Sequence, residues 1–402
     1  MERERTIIMK KNITKLLSVI MCLALCLCFS VPALALNETS LTNDDVLSDD
    51  YIENLQSFYA SARFKENYST LMVSRSTQTV QMNYPENFGG IYIDNENKLH
   101  IAYVDGVDAL DDSMQDYEVK YDVVKYSFNY LCQISSLLSD NMSDFNITIV
   151  SVDEMQNKLV VAIDKEFETE LIEWLSENIS NFDSNCISFV DPVSIASTDA
   201  GGTSIKSNGG FTLGYNARKS STGKYGFVTC GHGVSAVGDT VKRNNFWGTS
   251  LGKVSNRRFG DTIDACFVTY SNQSNITTAC LVGGNLTGTY SSSQITSGMI
   301  VDKYGATTNA RSGRVTSGSA SVSCDGVTFR DQVQMSIRQE RGDSGAPVVH
   351  EFIGPMESGK IAPTTLVGIA TFADSSTWNT AWASKAANIN SAFGLSTYIL
   401  II

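Results

Sequence analysis

The chain has 402 residues, 42% of them hydrophobic, and a formal charge of −13, enough for two domains and an extension. It has no basic cluster of weight, no Gly-rich phosphate-cradling loop and no Cys/His ligand spacing, so nucleic acid, nucleotide and metal binding have no support. The charge is uneven: residues 36–197 carry 29 acidic and 8 basic side chains, and residues 198–402 carry 12 and 17.

Residues 1–15 are mixed in charge with a net positive balance. "LLSVIMCLALCLCFSVPALA" comes next, ending in Ala-Leu-Ala at 33–35. A basic start, an apolar run and a small-residue site predict a secretory signal cut after Ala35, rather than an uncleaved anchor. No later segment has a run of 18 apolar residues.

The acidic segment, 36–197, contains a faint repeat. "GGIYIDNENKLHIAYVD" (89–105) and "ITIVSVDEMQNKLVVAID" (147–164) each read as strand, polar turn, strand. Helical periodicity is read after each, in "YEVKYDVVKYSFNYLCQISSLL" and "KEFETELIEWLSENISNF". In the second, Phe167, Leu171, Trp174, Leu175 and Ile179 form an apolar stripe that reads as core. These units predict a small α+β domain. Its charge complements that of residues 198–402, favouring docking of one segment on the other.

"ASTDAGGTSIKSNGG" (196–210) reads as a boundary. Beyond it, short β-rich runs separated by Gly, Ser and Asn predict an all-β sandwich or barrel pair over 198–402. Only the tail, "TAWASKAANINSAFGL", is read as helical.

"QERGDSGAPVV" (339–349) places Ser344 between two glycines. A reactive serine needs a base within hydrogen-bond reach, and the base needs an acid to hold its tautomer. His232 ends the apolar strand of "GFVTCGHG" in a Gly-flanked turn, which leaves an imidazole facing a cleft. His350 and His100 read as half-exposed strand residues. In "FGDTIDACFV", Asp264 opens an apolar run where a carboxylate is buried and needs partners. Asp261 reads as a turn residue. The chain order is His232, Asp264, Ser344.

"FVTCGHG", "IDACFV" and "RGDSGAP", in that order, resemble the chymotrypsin-fold serine endopeptidases, and most closely the bacterial secreted streptogrisin and α-lytic branch. "GGFTLGYNA", "TTLVGIATF" and "INSAFGLSTYI" resemble that branch's first strand, substrate-binding strand and C-terminal segment, and the acidic segment resembles its pro-region. The resemblance implies two antiparallel six-stranded β-barrels with a C-terminal helix, preceded by the α+β pro-domain. It also implies a Ser-His-Asp triad in the cleft between the barrels. Ser344 would be the nucleophile, His232 the general base and acid, and Asp264 its orienting acid. The N–H groups of Gly342 and Ser344 would form the oxyanion hole. By the same resemblance Asp343 is a structural acid, and Thr371 matches a serine that hydrogen-bonds the buried aspartate.

Some positions depart from that pattern. Cys230 precedes Gly231-His232, Gly233 comes after it where the family has Cys, and the first strand has none. Asp302 stands where another Cys is expected. Cys230 and Cys266 are either bridged or small buried residues, and Cys280–Cys324 is a further open pairing. For specificity, Arg338, Gln339, Glu340 and Arg341 are candidates for one wall of the pocket, and Thr371, Phe372 and Ala373 for the other. A basic residue there favours Glu or Asp at the cleaved position, whereas Glu340 favours Lys or Arg.

The expectation is a secreted, monomeric endopeptidase acting on polypeptides without metal or cofactor. It is made as a zymogen with its own 36–197 segment as folding aid, inhibitor and partner, cut away somewhere in 196–204. It meets no membrane after signal removal. The alternative is a non-catalytic binding module on the same fold.

Overall fold

In the computed structural model, the described residues are 49–68, 70–73, 80–104, 114, 117–197, 204–207, 209–244, 248–277, 285–351 and 363–399. The signal reading, Cys280 and most of the expected cut region lie outside them.

The acidic segment opens with helix α1 (Asp49–Tyr68) and strands β1 (Thr70–Val73) and β2 (Val80–Asn83). β3 (Phe88–Ile93) and β4 (Leu99–Val104) form the first hairpin, joined in parallel by β5 (Val119–Val124). Helix α2 (Phe128–Asp140) is next, with Ser127 capping it by accepting from the Tyr130 amide at 3.2 Å. β6 (Ile149–Asp153) and β7 (Lys158–Ala162) form the second hairpin. Helix α3 (Glu168–Asn178), β8 (Ile187–Val190) and β9 (Ile195–Ser197) complete the segment. Each hairpin turns through an asparagine in the left-handed region, Asn97 at φ 63° and Asn157 at φ 51°. The two sequences therefore do repeat one device. The stripe on α3 buries Leu171 and Leu175 and half-buries Trp174 against Phe145. Residues 119–124, read as the start of a helix, form β5 instead. Their pairing with β4 overrides the periodicity.

β10 (Ser204–Lys206), β11 (Gly210–Thr212), β12 (Tyr215–Lys219), β13 (Tyr225–Thr229), β14 (Thr240–Arg243), β15 (Ser250–Gly260) and β16 (Ile263–Tyr270) build the first barrel. β11 and β12 are halves of one strand. The cyclic order β11/β12, β10, β14, β15, β16, β13 returns to β12, making six strands, all antiparallel. Phe211, Phe227, Val241, Val254 and Val268 fill it.

β17 (Asn285–Thr289) leads to the second barrel: β18 (Ile300–Gly305), β19 (Asn309–Cys324), β20 (Val327–Ser336), β21 (Pro347–Glu351), β22 (Pro363–Asp374) and β23 (Ala381–Lys385). These close in the order β18, β19, β20, β23, β22, β21, again six and all antiparallel. Helix α4 (Ala386–Phe393) and β24 (Leu395–Thr397) end the chain. The helix is shorter than read, because residues 381–385 pair on both sides within the barrel.

Residues 47–402 form one compact unit. β6 pairs with β19 through Ile149–Val322, Val150–Ser321 and Ser151–Ala320, so the sheet of the acidic segment runs on into the second barrel. Asp140 meets Arg330 at 2.9 Å. α1 packs on the same barrel: Asn54 donates to Gly298 O at 3.1 Å, Lys65 to Thr296 Oγ1 at 3.0 Å, and Phe58 lies edge-on to Tyr290. Apolar burial and backbone pairing therefore carry this contact alongside charge. Among the described residues, no helix is long and apolar enough to cross a membrane.

Candidate active site

β13 and β16 are neighbours, with Thr229 opposite Cys266. That pairing sets the turn after β13 against the start of β16, and so His232 against Asp264. Asp264 is fully buried and its carboxylate is saturated. Oδ1 accepts from the Gly231 amide at 2.8 Å and the His232 amide at 2.9 Å, and Oδ2 accepts from His232 Nδ1. A Cβ on residue 231 would lie 2.9 Å from Oδ1 and 2.5 Å from Arg258 O, so only glycine fits. Burial pulls the imidazole pKa down, but the Asp264 carboxylate, helped by Cys230, outweighs it and leaves His232 well above its ordinary value. Nε2, the other ring nitrogen, is buried without a hydrogen-bond partner. Asp261 is the turn residue expected, at φ 59° and paired with Arg258.

Ser344 lies on the loop between β20 and β21. Gly342 at φ 114° and Gly345 at φ 86° bend that loop as only glycine does readily. Both barrels grip it. From the first, Thr212 donates its amide to Ser344 O at 2.7 Å and its hydroxyl to Gly342 O at 3.1 Å. From the second, Ala370 O accepts the Gly345 amide at 2.7 Å. A Cβ on residue 345 would lie 3.2 Å from the Cys230 amide, so the serine loop abuts the turn that carries His232. Ser344 Oγ donates to Thr371 O at 3.2 Å, and the His232 and Phe372 rings are 6.2 Å apart between centroids.

Asp343 is buried beside Ser344 and pairs with the fully buried Lys303 at 2.6 Å. It also accepts from Thr308 Oγ1 at 2.6 Å and from the amides of Thr307, Thr308 and Glu340 at 3.0–3.1 Å. Burial alone raises its pKa, yet Lys303 and these donors hold it below the usual carboxylate value. A Cβ at Gly305 would meet Asp343 Oδ1 at 2.0 Å, so the pair also needs that glycine. The acid's structural place was readable, but its cation was not.

Several expectations change. Thr371 does not bond Asp264; its hydroxyl donates to Trp382 O at 3.2 Å. Ser384 stands by the aspartate instead, accepting the Asp264 amide at 3.0 Å and donating to Gln332 Oε1 at 2.9 Å. Those residues sat in stretches read as helix tail and plain strand. Cys230 and Cys266 are unbridged, with Cys266 Sγ donating to Cys230 O at 3.4 Å inside the apolar core. His350 is buried rather than half-exposed, bonded to Tyr290 Oη at 2.9 Å, and burial pushes its pKa down to about 4. His100 is half-buried between Asp94 and Asp122.

Of the wall candidates, Arg338 and Arg341 are exposed, and Arg338 Nε bonds Glu340 Oε1 at 2.7 Å. Gln339, Thr371, Phe372 and Ala373 are fully buried. β9 runs antiparallel along that second wall, with Ser197 opposite Phe372 and Ala196 opposite Ala373.

No protein-family model matches the chain, and no curated protein does. Among solved structures, it is similar to the Nocardiopsis protease NAPase (23% identity, 50% of this chain and 98% of that one, TM-score 0.39). It is similar to Thermobifida fusca protease A (22%, 50% and 100%, TM-score 0.39) and to a Cellulomonas bogoriensis chymotrypsin (21%, 50% and 100%, TM-score 0.37). The reading of the site rests on its own geometry.

Proposed function

We propose that the chain is a secreted serine endopeptidase made as a zymogen, with His232, Asp264 and Ser344 as its triad. One observation carries this reading. The Asp264 carboxylate takes His232 Nδ1–H and fixes the tautomer, which leaves the buried Nε2 as an acceptor without a partner. What sets this nitrogen apart is its place: the turn that carries His232 abuts the loop of Ser344.

Ser344 Oγ, turned from Thr371 O toward Nε2, gives its proton to His232 as it attacks a peptide carbonyl. Asp264 stabilises the imidazolium that results, and His232 returns the proton to the leaving amine. The Gly342 and Ser344 amides receive the oxyanion. The acidic segment acts as inhibitor: β9 adds a strand to the wall that substrate would pair with, and Ser344 is buried while it is there.

Intact-mass analysis of the secreted protein, combined with a phosphonylating serine reagent, tests the reading. The wild type should lose the acidic segment and label at Ser344, and Ser344→Ala should do neither. A wild type that stays long and refuses label after limited proteolysis of the segment would favour the binding-module alternative.

A further inference from the structure

Resting on that endopeptidase reading, we propose that the site selects a small hydroxyl-bearing residue, threonine or serine, just before the bond it cuts. Gln339 is the residue that reads it.

Of the charged candidates for specificity, Arg338 and Glu340 bond each other and Arg341 is exposed at the surface. Gln339 instead turns inward. Its amide donates to Trp378 O at 2.9 Å, and its side-chain Nε2 crosses to the opposite wall and donates to Phe372 O at 3.0 Å. A fully buried side chain thus spans the gap between the two walls. A side chain held across that gap shortens whatever enters it, which favours a small residue. Gln339 Oε1, on the same amide carbon, is buried, and among the described residues no group donates to it. A buried carbonyl in this position is satisfied by a donor that arrives with the substrate. A short side chain with a hydroxyl supplies one, and an isosteric valine does not. A site built around such an acceptor penalises the analogue that lacks the donor.

Matched peptides differing only at the residue before the cut, given to the processed enzyme, test this. Threonine should exceed valine about tenfold in kcat/KM, with phenylalanine, lysine and glutamate poorer still. Gln339→Leu, which keeps the size and removes the acceptor, should bring the Thr/Val ratio to about one. An enzyme that labels at Ser344 but prefers large or charged residues, or does not separate threonine from valine, overturns the proposal while leaving the endopeptidase reading intact. So does a Gln339→Leu enzyme that keeps the ratio. If that variant does not fold, the wild-type ratio decides. Absence of label and of any cut defeats the endopeptidase reading, and this proposal with it.

Discussion

Two buried acid–base pairs lie close to one serine, and they are finished differently. Asp343 and Lys303 use up their surroundings: the carboxylate takes the ammonium, a hydroxyl and three amides. Asp264 is equally saturated, but its partner His232 keeps Nε2 unpaired. A completed network holds a shape, whereas a network with one open acceptor can move a proton. On that contrast, removing a member of the first pair should cost stability, and removing a member of the second should cost rate.

The largest effect should come from His232→Ala, which removes the base. It should lower kcat for peptide hydrolysis on the order of a millionfold with little change in melting temperature. A variant that unfolds instead, or that keeps its activity, breaks the contrast. Next, Asp264→Asn should lower kcat roughly 10⁴-fold by allowing the wrong tautomer. It also removes the charge that raises the His232 pKa. Because the base must be neutral, activity falls as pH drops through that raised value. The acid limb of the kcat/KM profile should therefore move to lower pH in the variant.

Lys303→Met tests the other pair. It leaves the Asp343 carboxylate buried and unpaired, and should destabilise by about 3–5 kcal/mol in chemical denaturation. Asp343 contributes stability above its unfolded pKa of about 3.9 and loses it as pH falls through its lower folded value. Without the lysine, burial dominates and the acid-unfolding midpoint should move to higher pH. Unchanged acid unfolding would mean that the hydroxyl and the amides suffice alone.

The contrast also separates what the sequence could reveal from what it could not. The surroundings of His232, Asp264 and Ser344 were legible because a short local pattern dictates each: a strand ending in glycines, a carboxylate opening an apolar run, a serine between glycines. Lys303 was not, although "MIVDKYG" sets an acid and a lysine side by side in an otherwise apolar strand. Its partner is 40 residues away and is reached only because β18 pairs with β21. Ser384 was hidden in an alanine-rich stretch with helical propensity, which barrel closure makes a strand. Val119–Val124 failed for the same reason, pairing overriding a local period. Of the two hydroxyls at the rear of the site, the resemblance pointed to Thr371, and only the register shift in β22 shows that it faces Trp382 O.

That last misreading gives the smallest prediction. If Ser384, not Thr371, supports the buried aspartate, each can be truncated separately. Ser384→Ala leaves the Asp264 amide without its acceptor and Gln332 Oε1 without its donor. It should cost about 1–3 kcal/mol of stability and lower kcat several-fold by loosening the strand that presents Asp264. Thr371→Val keeps the shape and loses one bond to Trp382 O, so about 1 kcal/mol of stability should go with kcat nearly unchanged. The two variants carry different expectations for kcat. If Thr371→Val is the slower enzyme, the hydroxyl reaches Asp264 once the acidic segment has left, and the site rearranges on activation.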